Sequence, residues 1–117
     1  MISLPATVKI YLSTQPADMR KSFDGLKRLV EEFLQGDPLS GHLFVFRNRR
    51  GDRLKILYWD RDGLAIWYKR LEAGTFVFPQ SVDQNSSIEV QAAELAMLLD
   101  GVDLASVRRQ KRYRRSV

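Results

Sequence analysis

The sequence predicts an α+β domain: an antiparallel β-meander of four to six strands packed against one long helix, with a short C-terminal helix and a basic tail. Three observations predict it. Residues 42–79 hold eight of the twelve aromatics and four apolar runs (Leu43–Phe46, Leu54–Trp59, Leu64–Tyr68 and Thr75–Phe78) split by short polar segments. Met19, Phe23, Leu26, Val30 and Phe33 recur at spacings of four, three, four and three, which is one face of a helix. The last ten residues, Arg108–Val117, carry six cations and no acid.

Taken in order, Val8–Leu12 alternates apolar and polar residues and reads as a first strand, expected to pair with the edge of the meander. Pro16 ends it, because proline cannot donate to a ladder. A helix follows with Asp18 as N-cap, and Leu29 and Leu34 widen its apolar stripe. Gly36, then Asp37-Pro38, stops it. Within the meander, Asn48–Asp52, Asp60–Gly63 and Arg70–Gly74 carry turn chemistry, and Asp62-Gly63 is a hairpin signal. Runs this close leave no room for crossover helices, so neighbouring strands are antiparallel. Gln80–Ser87 reads as a loop, Ile88–Val90 as a short strand, and Ala92–Asp100 as a helix capped by Gly101.

A chain of 117 residues, 44% hydrophobic, suits one domain with its own core. Residues 1–107 form that domain, and 108–117 read as a disordered basic tail, since like charges so dense repel one another. Removing the tail's six positives from the total of +5 leaves −1 for residues 1–107. The basicity is local. Residues 42–61 carry Arg47, Arg49, Arg50, Arg53, Lys55 and Arg61 against Asp52 and Asp60, a second cationic patch.

Bond-making chemistry finds no footing. One histidine and no cysteine give no cluster of soft metal ligands. Asp60-Arg61-Asp62-Gly63 puts its glycine fourth, where a calcium loop needs it sixth. The carboxylates are scattered, and no GxxxxGK[ST] phosphate loop occurs. No catalytic residue, metal ligand or cofactor is assigned. No apolar run approaches the ~18 residues of a membrane span, and no secretory signal is readable, so a cytoplasmic protein is expected.

Three stretches resemble one family. They are Pro16-Ala17-Asp18-Met19-Arg20-Lys21-Ser22-Phe23-Asp24-Gly25-Leu26, then Arg47 to Pro79 (RNRRGDRLKILYWDRDGLAIWYKRLEAGTFVFP), and Ala93 to Gly101 (AELAMLLDG). Together, over roughly residues 8–101, the chain resembles the accessory protein encoded by the second reading frame of insertion sequences of the sixty-six class. That protein is Orf2-like and often labelled TnpB, and it is unrelated to the RNA-guided nuclease of the same label. The resemblance implies a protein that works beside a separate transposase, with no chemistry of its own. Its signature positions fall here on Asp18, Arg20, Lys55, Trp59, Asp60, Gly63, Trp67, Lys69 and Arg70. Phe78 stands where the family often has tryptophan, which touches packing only.

The expected function is therefore an accessory, non-catalytic factor in DNA transposition that binds nucleic acid through a basic sheet face and the tail. Arginine and lysine neutralise phosphates and release counterions, which gives sequence-independent, salt-sensitive affinity. The candidate contacts are Arg47, Arg49, Arg50, Arg53, Lys55, Trp59, Arg61, Lys69 and Arg70, with Arg108, Arg109, Lys111, Arg112, Arg114 and Arg115 in the tail. In the second run Leu54, Ile56 and Tyr58 are expected to face the core, and Lys55, Leu57 and Trp59 the other side. Trp59 and Trp67 are either core or a stacking platform for a base. The expected partners are DNA at the transposon ends, the transposase and other accessory proteins of the element, with no membrane and the oligomeric state left open. The alternative is a protein–protein adaptor for the transposase that touches no DNA.

Overall fold

A computed structural model describes residue 5 and residues 7–80 and 85–103, together with the backbone of 108–109. It contains β1 (Ile10–Ser13), α1 (Phe23–Glu32), β2 (Leu43–Arg47), β3 (Arg53–Asp60), β4 (Gly63–Arg70), β5 (Ser87–Val90), α2 (Ala92–Leu99), β6 (Val102–Asp103) and β7 (Arg108–Arg109). The first five strands form one mixed sheet in the order β4-β3-β2-β1-β5, and β6 and β7 pair separately.

Only part of the sheet is a meander. β2, β3 and β4 follow one another as antiparallel hairpins, with Val45 opposite Ile56 and Ile56 opposite Trp67. β1, by contrast, lies parallel to β2, with Ile10 beside Leu43, and α1 is the crossover that such a connection requires. β5 then pairs antiparallel on the far side of β1. The expected first strand is thus interior to the sheet.

Thr75–Phe78 is not a strand. The Phe76 N–H donates to the Gly51 carbonyl (2.7 Å) and the Leu71 N–H to that of Asp52 (2.7 Å), so this segment crosses behind the β2–β3 turn. Phe76 and Phe78 are spent as plugs in the core.

The helix is shorter than its stripe. Met19 precedes it and Phe33 caps it, leaving ten residues. Asp18 does not cap it: its carboxylate accepts from the Arg20 N–H (2.9 Å), and the Lys21 N–H donates to its carbonyl (3.0 Å), which closes a separate turn before Ser22. At the other end the left-handed conformation falls on Gln35 (φ 55°), while Gly36 is held against Phe44, whose ring would lie 3.0 Å from an added Cβ.

Both faces of the sheet are covered, which sequence alternation did not reveal. On one face Leu26 and Val30 of α1 meet Phe44, Phe46 and Leu57. On the other, Leu95, Leu98 and Leu99 of α2 join Leu71, Phe76 and Phe78 over Leu43, Val45, Leu54 and Ile56. Leu57 is therefore as deeply buried as Ile56, both 0% exposed. Leu57→Ala and Ile56→Ala should each lower the unfolding free energy by about 2–5 kcal/mol in chemical denaturation. A Leu57 variant within ~0.5 kcal/mol of the parent would mean that the α1 face is not packed.

Candidate functional site

The β2–β3 turn is built to hold two arginines outward. Asn48 organises it: its Oδ1 accepts from the Arg53 N–H (3.0 Å), its Nδ2 donates to Asp52 (2.6 Å), and its own N–H donates to the Arg53 carbonyl (3.1 Å). Gly51 takes φ +79° with Thr75 packed behind it, a conformation that a side chain would strain. Because Leu71 and Phe76 donate to the turn's carbonyls from behind, Arg49 and Arg50 are left exposed at its tip.

Residues 16–21 supply the opposite wall. The Ala17 N–H continues the β2 ladder by donating to the Arg47 carbonyl (2.9 Å), and Ala17 is buried beneath. Asp18 and Arg20 then close a bidentate pair, with Nη2 2.6 Å from Oδ2 and Nε donating to both oxygens. That pairing, with the Arg20 backbone N–H behind it, lowers the Asp18 carboxyl from 3.8 to about 2.

One cation joins this wall to the sheet. Lys55, only 8% exposed, donates through Nζ to the carbonyls of Met19 (2.9 Å) and Lys21 (2.7 Å). The same ammonium sits 4.7 Å above the Tyr68 ring. Lysine is almost never buried without partners, and here the partners are two carbonyls and an aromatic face.

Between the walls lies a cleft of about 540 Å³ lined by Pro16–Arg20, Asn48–Arg50, Asp52 and Arg53. Four arginines and two aspartates face it, and both acids are already engaged. Asp18 holds Arg20, and the hydrogen bond from Asn48 is the main cause that keeps the Asp52 carboxyl below its ordinary range. Arg49 and Arg50 make no ion pair with any described residue. Arg53 donates weakly to the Tyr68 hydroxyl (3.3 Å), beside the cleft.

The other candidate residues scatter. Arg47 points to the opposite face, where it donates to the Phe76 carbonyl (3.1 Å) and lies 4.4 Å over the Phe78 ring; burial pushes its pKa down. Lys55 is a strut rather than a surface contact. Trp59, near the far end of β3, is six residues and so roughly 20 Å from Arg53, and Arg61 lies beyond it in the β3–β4 turn. Trp67 packs against the α2-side core, so the aromatic that shares a face with Lys55 is Tyr68. Lys69 is exposed on that α2 side, and Arg70 pairs with Glu72 (3.0 Å). In the β3–β4 turn the left-handed residue is Arg61 (φ 60°), so Gly63 simply opens β4 opposite Asp60.

In the expected tail, the backbone of Arg108 and Arg109 pairs with Asp103 and Val102, so an unpaired arm does not begin at residue 108. Lys111, Arg112, Arg114 and Arg115 lie outside the described residues. Among the described residues no group of three or more His, Asp or Glu side chains could hold a metal ion. No helix among them is long and apolar enough to cross a membrane.

The cleft unites two stretches that stand apart in the sequence, Pro16–Lys21 and Asn48–Arg53. Both lie inside the match to a family described as IS66 Orf2 like protein, which spans residues 8–109. The chain belongs to the IS66 Orf2-like family. Membership implies an accessory role in transposition of these elements. Two uncharacterised proteins of Sinorhizobium fredii are similar along nearly their whole length. One, y4jC, is 38% identical over 110 residues, 94% of this chain and 92% of the relative. The other, y4hO, is 38% identical over 103 residues, 88% of each. No solved structure matches the chain.

Of the signature positions of this IS66 Orf2-like chain, Asp18, Arg20 and Lys55 build the cleft, while Trp59, Asp60, Gly63 and Trp67 belong to the β3–β4 hairpin away from it. Two residues of the site, Asn48 and Tyr68, stand outside the candidate contacts. An asparagine three residues before glycine in Asn48-Arg49-Arg50-Gly51 was the available signal for the first. For the second, nothing short of the hairpin register decides between Trp67 and Tyr68.

The Asp18–Arg20 pair has a pH signature. A depressed carboxyl pKa contributes stability above the ordinary 3.8, lost as pH falls through about 2. In an NMR titration the Asp18 carboxyl should show a midpoint near 2, and Arg20→Ala should return it toward 3.8. A midpoint near 3.8 in the unaltered chain would mean that the pair does not form in solution.

Proposed function

We propose that this protein is a non-catalytic transposition factor that grips the DNA backbone in the cleft between residues 16–20 and 48–53. Arg49, Arg50 and Arg53 are the phosphate contacts, and Arg20 is a fourth that exchanges its hold on Asp18 for a phosphate. The reading is carried by one observation: Arg49 and Arg50 are exposed on a turn held by Asn48 and make no ion pair with any described residue, while Asp18 is taken by Arg20 and Asp52 accepts from Asn48. A guanidinium that makes no ion pair within the fold gives up none when it meets a phosphate, and the ordered backbone of the turn limits what must be reorganised on binding. Tyr68, 47% exposed and next to Arg53, offers a face on which an unpaired base could stack. The basic stretch from residue 108 onward adds further positive charge.

A second reading, an adaptor that holds the transposase without touching DNA, is favoured by the exposed Phe23 and Tyr68 on the α1 side. Co-purification of this protein with the transposase that survives nuclease treatment would support the adaptor, and its loss on that treatment would count against it.

The DNA reading is tested by fluorescence anisotropy with a duplex of the element's end across a range of salt concentrations. Each lost phosphate contact lowers the slope of log affinity against log salt by about 0.9. Arg49→Ala with Arg50→Ala should therefore reduce the slope by about 2 and weaken binding at low salt by at least about tenfold. Binding with unchanged affinity and slope after charge reversal at Arg49, Arg50 and Arg53 would overturn it.

A further inference from the structure

β4 is an open edge. It is the outermost strand of the sheet, eight residues long, and no described residue pairs with its outer side. It holds no proline, and no residue within it takes a positive φ. Proteins usually blunt such an edge with proline, a bulge or central charges, because its unpaired N–H and C=O groups recruit another strand. Here the charges, Lys69 and Arg70, stand only at one end.

We propose that β4 pairs with β4 of a second copy of this chain, antiparallel about a two-fold axis through Ile66, and so forms a ten-stranded sheet. The register follows from symmetry. In an antiparallel ladder the two-fold axis passes midway between directly opposed residues, so the residue on the axis faces its own copy. Ala65, Ile66 and Trp67 are the central choices.

An axis at Ala65 would set Arg70 against Asp60 of the other copy but Lys69 against Arg61, like against like, so that the two charge contacts oppose each other. An axis at Trp67 would stack Trp67 on itself and leave Arg70 facing Leu64. An axis at Ile66 sets Arg70 opposite Asp62, Tyr68 opposite Leu64, Trp67 opposite Ala65 and Lys69 opposite Gly63. Opposite charges meet at both ends, and each large side chain meets a smaller one, the arrangement that stabilises cross-strand pairs. Arg70 and Asp62 are both exposed; Asp62 makes no ion pair with any described residue, and Arg70 would exchange or share its surface pair with Glu72.

The helices fit the same axis. α1 packs over β2, β3 and β4, so it lies on the same face of the sheet as its copy and flanks the proposed axis. Phe23 (45% exposed) and Tyr68 belong to this flank, because the Lys55 ammonium touches both the carbonyl just before α1 and the Tyr68 ring.

The pairing does not depend on the DNA reading. The test needs no DNA. Sedimentation equilibrium of the nuclease-treated full chain should show the mass rising from 13.5 kDa to twice that with concentration. Arg70→Asp alone and Asp62→Arg alone should each weaken association about tenfold, and the two together should restore it. Since the chain has no cysteine, Asp62→Cys combined with Arg70→Cys should give a disulfide-linked dimer on oxidation, whereas either alone should not. A mass fixed at 13.5 kDa, or a double charge swap no better than the single variants, would overturn the proposal.

Discussion

The Lys55 ammonium is the contact on which the cleft depends. It is buried on the α1 side of β3 with no carboxylate beside it, and it satisfies itself on two main-chain carbonyls and the Tyr68 ring. Burying a cation is costly unless its hydrogen bonds are made, so this site favours a single placement of residues 19–21. That placement puts Asp18 and Arg20 across from the β2–β3 turn. Without it, residues 18–21 would keep their own turn but would be tied to the sheet only by the packing of the partly buried Met19, and the exposed Asp18–Arg20 pair contributes little to stability.

The scaffold that presents this lysine was partly readable from sequence. The helix stripe correctly named Leu26 and Val30, and the apolar runs correctly named β2, β3 and β4, because periodicity depends on neighbours a few residues away. Direction and coverage do not. Nothing local states that β1 enters between β2 and β5, and only the crossover through α1 makes its pairing with β2 parallel. Alternation in β3 separates Leu54 and Ile56 from Lys55 and Leu57, but it is silent about a second covering layer. So Leu57 read as outward although α1 buries it. Phe76 and Phe78 alternate like a strand and yet serve as plugs, because two hydrogen bonds to the turn at Gly51 and Asp52 carry their segment away from β4.

Charge was legible as a quantity and misleading as a map. A cluster of basic residues along residues 47–70 suggests one cationic face, but side chains on a sheet alternate and a hairpin has two ends. Arg47 and Lys69 fall on the α2 side, Arg61 falls at the far turn, and Arg70 is held by Glu72. Among the described residues Arg49, Arg50 and Arg53 gather at the cleft, joined by Arg20 from a distant part of the chain, with Arg70 opposite Arg53 beside it. Among the described residues of this IS66 Orf2-like chain, the exposed arginines that line the cleft form a small cationic cluster rather than a broad basic surface. That suits a factor that positions a backbone for another protein's chemistry.

Replacing Lys55 with methionine tests this account most directly, because it keeps the length of the side chain and removes the charge and both hydrogen bonds. Hydrogen exchange should then accelerate about tenfold or more at the Ala17 and Lys21 amides relative to those of β2 and β3, as the cleft wall separates from the sheet. Unchanged protection at Ala17 and Lys21 in a folded Lys55→Met chain would contradict the account, since the wall would then be standing without the cation assigned to hold it.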